Sequence, residues 1–185
     1  MPQCGEDGRR DEGLKNSTGL QKTSPSHSFR SSAIKPAELL CIRYLTLNMP
    51  HVTVTRRMRF NAAHRVHNPK LSDAENDRLF GKCNNPNWHG HNYTLDVSVE
   101  GEIDEKTGYV CDLSQLKKIV EREIVDIVDH KNFNLDVPFM KGVIPTSENI
   151  IMAFWKILVP KVKPGKLAKL VLWETENNYV EYTGR

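Results

Sequence analysis

Two stretches of the chain alternate apolar and polar residues strictly enough to demand a buried sheet face. From Val52 to His64, the residues Val52, Val54, Met58, Phe60 and Ala62 share one parity, and His64 falls on it. From Asn92 to Glu100, Tyr93, Leu95, Val97 and Val99 alternate with Asn92, Thr94, Asp96 and Ser98. A period of two marks strands with one covered face. Two segments of helical period supply the cover. Behind Asp112, which can cap a helix, Leu113, Leu116, Val120, Ile124, Ile127 and Val128 recur at helical spacing, and that helix should end near Asp129. Pro145-Thr146-Ser147-Glu148 has a capping hydroxyl and an early acid suited to the helix dipole. Ile150, Ile151, Phe154, Ile157 and Leu158 follow as a buried face, and Pro160, Pro164 and Gly165 end the helix. Leu167 to Thr175 and Tyr179 to Thr183 read as strands around a turn at Glu176-Asn177-Asn178. Tyr109 to Cys111 reads as a short strand, and Asp73 to Leu79 as a helical turn in the polar loop from Asn68 to Asn87. The main order is strand, strand, helix, helix, strand, strand. It predicts an α+β domain over residues 51–185, an antiparallel four-stranded sheet with two helices on one face.

Residues 1–50 differ. They are rich in Ser, Lys, Gly and Thr and lack sustained periodicity, which reads as a disordered extension. Glu6, Asp7, Asp11 and Glu12 count against a transit peptide, and Met49 stands where translation could begin. No run approaches the roughly 18 apolar residues of a membrane span. A net charge of +3 with dispersed basic residues argues for no nucleic-acid partner, while suiting an anionic small substrate. Cys4, Cys41, Cys83 and Cys111 stand without a secretory pattern and read as reduced thiols, so the expected location is cytoplasmic.

Chemistry concentrates in Trp88-His89-Gly90-His91-Asn92-Tyr93. Two histidines two apart on a strand point to one face. With His64 they can form a three-imidazole tripod, which would leave a zinc ion the open fourth position that catalysis needs. A structural site would call for paired cysteines, and the chain has no CxxC. The plain alternative is a pair of solvated or hydrogen-bonded imidazoles. His67 reads as a loop histidine facing solvent, and His27 and His51 as incidental. Cys83, in the polar loop Phe80-Gly81-Lys82-Cys83-Asn84-Asn85, can supply a thiolate beside a cation or metal; otherwise it is a small buried residue, a role that suits Cys111 better. Asp129-His130 follows the first long helix, as an acid–base pair or as a cation at a helix C-terminus. Neighbouring side chains point apart, so direct pairing of these two is not expected. Glu174 shares a face with Leu170 and Leu172. A carboxylate there needs a partner, such as two ring N–H donors, unless it leans out to water.

Together these residues resemble the 6-pyruvoyl-tetrahydropterin synthase family from about residue 52 onward. The resemblance rests on FNAAHR (60–65), LSDAEN (71–76), FGKCNNPNWHGHNY (80–93), GEIDEKTGYVCDL (101–113), DHKNFNLDVPF (129–139), PTSENI (145–150) and ETENNYVEYTG (174–184). It implies zinc on His64, His89 and His91, Cys83 as general base, Asp129 and His130 as the relay that keeps Cys83 a thiolate, and Glu174 as anchor of the pterin ring. It also implies the T-fold, in which such units pair into barrels, typically homo-hexamers with active sites at subunit interfaces. The substrate implied is 7,8-dihydroneopterin triphosphate, converted to 6-pyruvoyl-tetrahydropterin with release of triphosphate, in tetrahydrobiopterin biosynthesis. A relative in queuosine biosynthesis, 6-carboxytetrahydropterin synthase, takes the same substrate and also releases acetaldehyde. The long spacing from Cys83 to the histidine pair favours the pyruvoyl enzyme. A non-catalytic zinc- or pterin-binding module would not need Cys83, Asp129, His130 and Glu174 together. Two departures stand out: Met58-Arg59 before Phe60, where many relatives carry Ser or similar small residues, and Trp88 before His89, where several relatives carry a smaller residue.

Overall fold

The computed structural model describes Lys35 and residues 50–185. The chain divides into units Met1–Leu40 and Cys41–Arg185, and every described helix and strand belongs to the second. The expectations for the extension, for Met49 as a start, and for His27, Cys4 and Cys41 lie outside the described residues.

β1 (His51–His64) and β2 (His89–Glu102) pair antiparallel over their whole lengths, from His51 opposite Glu102 to His64 opposite His89. The alternation dictates which face is covered: Met58, Phe60, Ala62, Tyr93, Leu95, Val97 and Val99 are all buried. β4 (Lys166–Trp173) adds beside β2, and β5 (Tyr179–Tyr182) beside β4. Between β1 and β2, α1 (Asp73–Phe80) is a full helix closed by a capping box of Ser72 and Glu75.

The second helical segment runs as α2 (Leu113–Val120), a π-helical turn (Glu121–Val125) and α3 (Asp126–Val128). Its buried residues Leu116, Val120, Ile124 and Val128 recur every four positions. On a 3.6-residue helix that spacing drifts about 40° per step, and one wider turn takes up the drift. α4 (Ser147–Leu158), capped by Thr146, lays Ile150, Ile151, Phe154 and Leu158 into the same cluster. Phe60 anchors this layer, stacked on Tyr93 at 5.1 Å and edge-on to Phe133 and Phe154. The α+β class is as expected, with three corrections. Among the described residues the sheet has five strands, in order β3-β1-β2-β4-β5, because β3 (Lys131–Asn132) joins the other edge of β1 in parallel. Tyr109 to Cys111 forms no strand: Asp104 instead closes a turn with Gly108 and Tyr109. β4 stops at Trp173, which leaves Glu174 just past its end. No helix among the described residues is long and apolar enough to cross a membrane.

Candidate metal and active site

The register of β1 on β2 builds the tripod. His64 lies opposite His89, and His91 opposite Ala62, so all three imidazoles leave the sheet on its core face. Ring centroids are 4.4 Å apart for His64–His89 and 5.1 Å for the other two pairs. One nitrogen from each ring lies within 4.8 Å of the others. Gly90 lets the strands close here: a Cβ on it would stand 3.0 Å from the Ala62 carbonyl oxygen. Trp88, at φ 67°, turns the chain sharply into β2 from a conformation that bulky residues rarely adopt.

His64 is 1% exposed, and its Nδ1 is 2.8 Å from the Pro145 carbonyl oxygen. Only a protonated Nδ1 can donate there, which leaves the Nε2 lone pair facing the other two rings. Burial holds the His64 and His89 pKa values down, with neighbouring imidazoles adding to the effect. Neutral rings are what a metal requires. Nε2 of His64 and Nδ1 of His89 are both buried without a hydrogen-bond partner. Orphaned buried nitrogens cost free energy unless something fills them. A divalent ion fits this donor set, and three protein ligands leave it an open position.

Glu174 closes the cluster. Its Oε1 lies 3.5 Å from His64 Nε2 and 3.6 Å from His91 Nε2, and its side chain is 25% exposed, so it faces the histidines rather than open water. The turn beyond β4 holds it, with Glu174 N donating to Asn178 O. Burial, then the Glu174 charge, pushes the Tyr93 hydroxyl well above its usual range.

Cys83 is exposed on a 3-10 turn, Gly81–Asn84, that follows α1. The turn is tied to the end of β1 by Val66 N donating to Cys83 O at 2.9 Å. Asn84, 2% exposed, locks it: its Nδ2 donates to Asp77, while its oxygens accept from Arg65 Nε, and its Oδ1 also meets His67 Nδ1. His67 is thus half-buried against Asn84 rather than facing solvent, and it stands outside the tripod. Sequence reading missed Asn84, since no periodicity marks a buried amide in a loop.

Asp129 and His130 do pair directly, at 2.9 Å between Oδ2 and Nδ1. The expectation that they point apart fails because His130 takes φ 58°, outside helix and strand geometry alike. Asp129 Oδ1 also accepts from Asn61 N, and that N–H, ahead of His130, holds the carboxyl below the usual range. His130 N donates to Asn61 O, so the pair is fixed to β1 while the ring stays exposed.

The structure brings His64, His89, His91 and Glu174 together and places Cys83 beside them. Cys83, His64 and Glu174 line a cavity of about 270 Å³, with Thr146, Ser147 and Glu148 at the start of α4. Sequence reading treated Glu148 only as a helix-dipole acid. Asp129, His130, His91 and Glu174 line a second cavity, of about 990 Å³. Among the described residues, no hydrogen bond or ion pair joins Asp129 or His130 to Cys83. Their backbone anchors, Asn61 and Val66, are five residues apart, and the pair and Cys83 line different cavities.

The family model described as 6-pyruvoyl tetrahydropterin synthase matches residues 53–185. The human protein named 6-pyruvoyl tetrahydrobiopterin synthase is 49% identical over 131 residues, which span 71% of this chain and 90% of that protein. The Drosophila melanogaster protein of the same name is 43% identical over 136 residues, 73% of this chain and 81% of that one. The solved structure of Caenorhabditis elegans 6-pyruvoyl tetrahydropterin synthase superposes with a TM-score of 0.70 at 45% identity, covering 74% of this chain and 98% of that one.

Proposed function

Since the chain belongs to the 6-pyruvoyl tetrahydropterin synthase family, we propose that it is a zinc enzyme of the cytoplasm that converts 7,8-dihydroneopterin triphosphate to 6-pyruvoyl-tetrahydropterin and triphosphate. The observation that carries the reading is the tripod with two orphaned nitrogens, flanked by Glu174 and by an exposed thiol. His64, His89 and His91 would hold the zinc, which when bound supplies Lewis-acid polarisation of the substrate's side-chain oxygens.

The remaining work falls to the chain's own groups. The Cys83 thiolate takes the proton from the side-chain carbon next to the ring, and the freed electron pair moves into the ring system. Returning a proton to the ring completes that internal redox exchange. The next side-chain carbon then loses its proton, and its C–H electron pair forms a C=C bond as triphosphate leaves with the electron pair of its C–O bond. The resulting enol takes up a proton to become the second ketone. No nicotinamide is consumed. Glu174, beside the tripod, would anchor the pterin ring, and Glu148, the second acid lining the Cys83 cavity, would add a further acceptor for the ring's N–H edge.

Asp129 and His130 would relay protons for Cys83 of a neighbouring copy. Their place in a different cavity from Cys83 of the same chain supports this, because proton transfer needs donor and acceptor about 3 Å apart. The sites would then lie between subunits of a homo-hexamer. The test combines metal content with turnover. Cys83→Ala should keep one zinc per chain and lose product formation, whereas His91→Ala should lose zinc as well. A Cys83→Ala protein with undiminished turnover would sink the assignment of the base.

A further inference from the structure

We infer that Arg59 anchors the phosphate chain of the substrate, on the far side of the sheet from the pterin. This inference rests on the proposed reaction. The sheet has a notch that joins its two faces. Pairing of β2 with β4 begins at Thr94 opposite Trp173, and Glu174 N turns away to Asn178. The stretch from His89 to Tyr93 therefore has no strand beside it on that edge. The larger cavity occupies this gap. It meets His91 and Glu174 from the core face, and Arg57, Arg59 and His130 along the other. Glu174 lines both cavities, so a ligand with its ring beside Cys83 and its side chain at the tripod would pass Glu174 to reach the larger one.

The charges along that way single out Arg59. Arg57 is already held by Asp96 in a two-pronged pair, both contacts at 2.7 Å. Asp129 is matched by His130, and Glu174 stands against the tripod. Glu176 lines the cavity from the turn after β4 and disfavours phosphate on that side. Arg59, exposed and opposite Thr94, has no carboxylate within ion-pair distance among the described residues. His91 lies three residues beyond Thr94 on β2, about 10 Å away. A triphosphate on a three-carbon side chain spans a similar length. A guanidinium offers the forked donors that phosphate oxygens accept.

The test is direct binding in the zinc-loaded full chain carrying Cys83→Ala, so that no substrate is consumed. Adding Arg59→Ala should weaken binding of 7,8-dihydroneopterin triphosphate about 10- to 100-fold, with 7,8-dihydroneopterin, which lacks the phosphates, bound as before. Arg59→Lys should retain part of the preference, and rising salt should erode it. The proposal falls if Arg59→Ala weakens both ligands equally, if it weakens neither, or if neither binds. The reaction assignment is judged apart, from turnover with Cys83 intact: a protein that prefers the triphosphate through Arg59 yet makes no product keeps the anchor and loses the proposed function.

Discussion

If Cys83 works with the Asp129–His130 pair of another copy, two inactive variants should repair each other. Cys83→Ala removes the base, and His130→Ala removes its proton partner. Both side chains are exposed, so both proteins should fold normally. The structure sets the size of the effect. Within one chain the two groups line different cavities, with no contact between them among the described residues, so a site draws its relay from a neighbour. In oligomers assembled at random from equal amounts of the two variants, half the sites carry an intact Cys83. Half of those receive an intact His130, so one half of one half, about a quarter of wild-type activity, should return. The assay is product formation by co-expressed, doubly tagged oligomers, with each variant alone as the baseline. If relay and base belonged to one chain, no site in the mixture would be whole. Activity that stays at the baseline of the separate variants would refute the composite site.

Three further outcomes are set by the geometry. Gly90→Ala forces the strands apart beside the tripod, since its Cβ would sit 3.0 Å from Ala62 O, and should weaken zinc binding about tenfold as read by chelator competition. Asn84→Ala strips its side-chain bonds to Arg65, His67 and Asp77, leaving Arg65 only the backbone carbonyl, and should cost about 1–3 kcal/mol of unfolding free energy in urea melts, with turnover lost alongside. Hydrogen bonds from Arg57 hold the Asp96 carboxyl below its usual range. Its stabilising contribution is therefore present above the unfolded-state value, near 3.9, and is lost as pH falls through the lower folded value. Arg57 is largely exposed, so Asp96→Asn should cost at most about 1 kcal/mol at pH 7, and the difference from wild type should vanish in acid.

Much of the fold and site was legible because strand parity carries over directly into space. Once β1 and β2 alternate, antiparallel pairing must put His64, His89 and His91 on one face, and the helical spacing behind Asp112 and Thr146 predicts what covers it. What escaped depends on backbone details with no period. β3 is two residues long and exists because the chain after His130 bonds to Ala63 through Phe133 N. The direct Asp129–His130 contact needs a positive φ that no residue type announces. The π-helical turn answers an apolar spacing that looks like ordinary helix in the sequence. Asn84 and Glu148 matter through which cavity or turn they meet, and that is settled by the path of the loops rather than by their composition.

The proposed reaction is tested most directly by product analysis on 7,8-dihydroneopterin triphosphate with the purified, zinc-loaded chain, following triphosphate release and the pterin formed. The expected result is 6-pyruvoyl-tetrahydropterin with one triphosphate released per turnover. Release of acetaldehyde with 6-carboxytetrahydropterin would contradict the assigned product while leaving the site standing. A folded, zinc-bound protein that leaves the substrate untouched would contradict the proposed function as a whole.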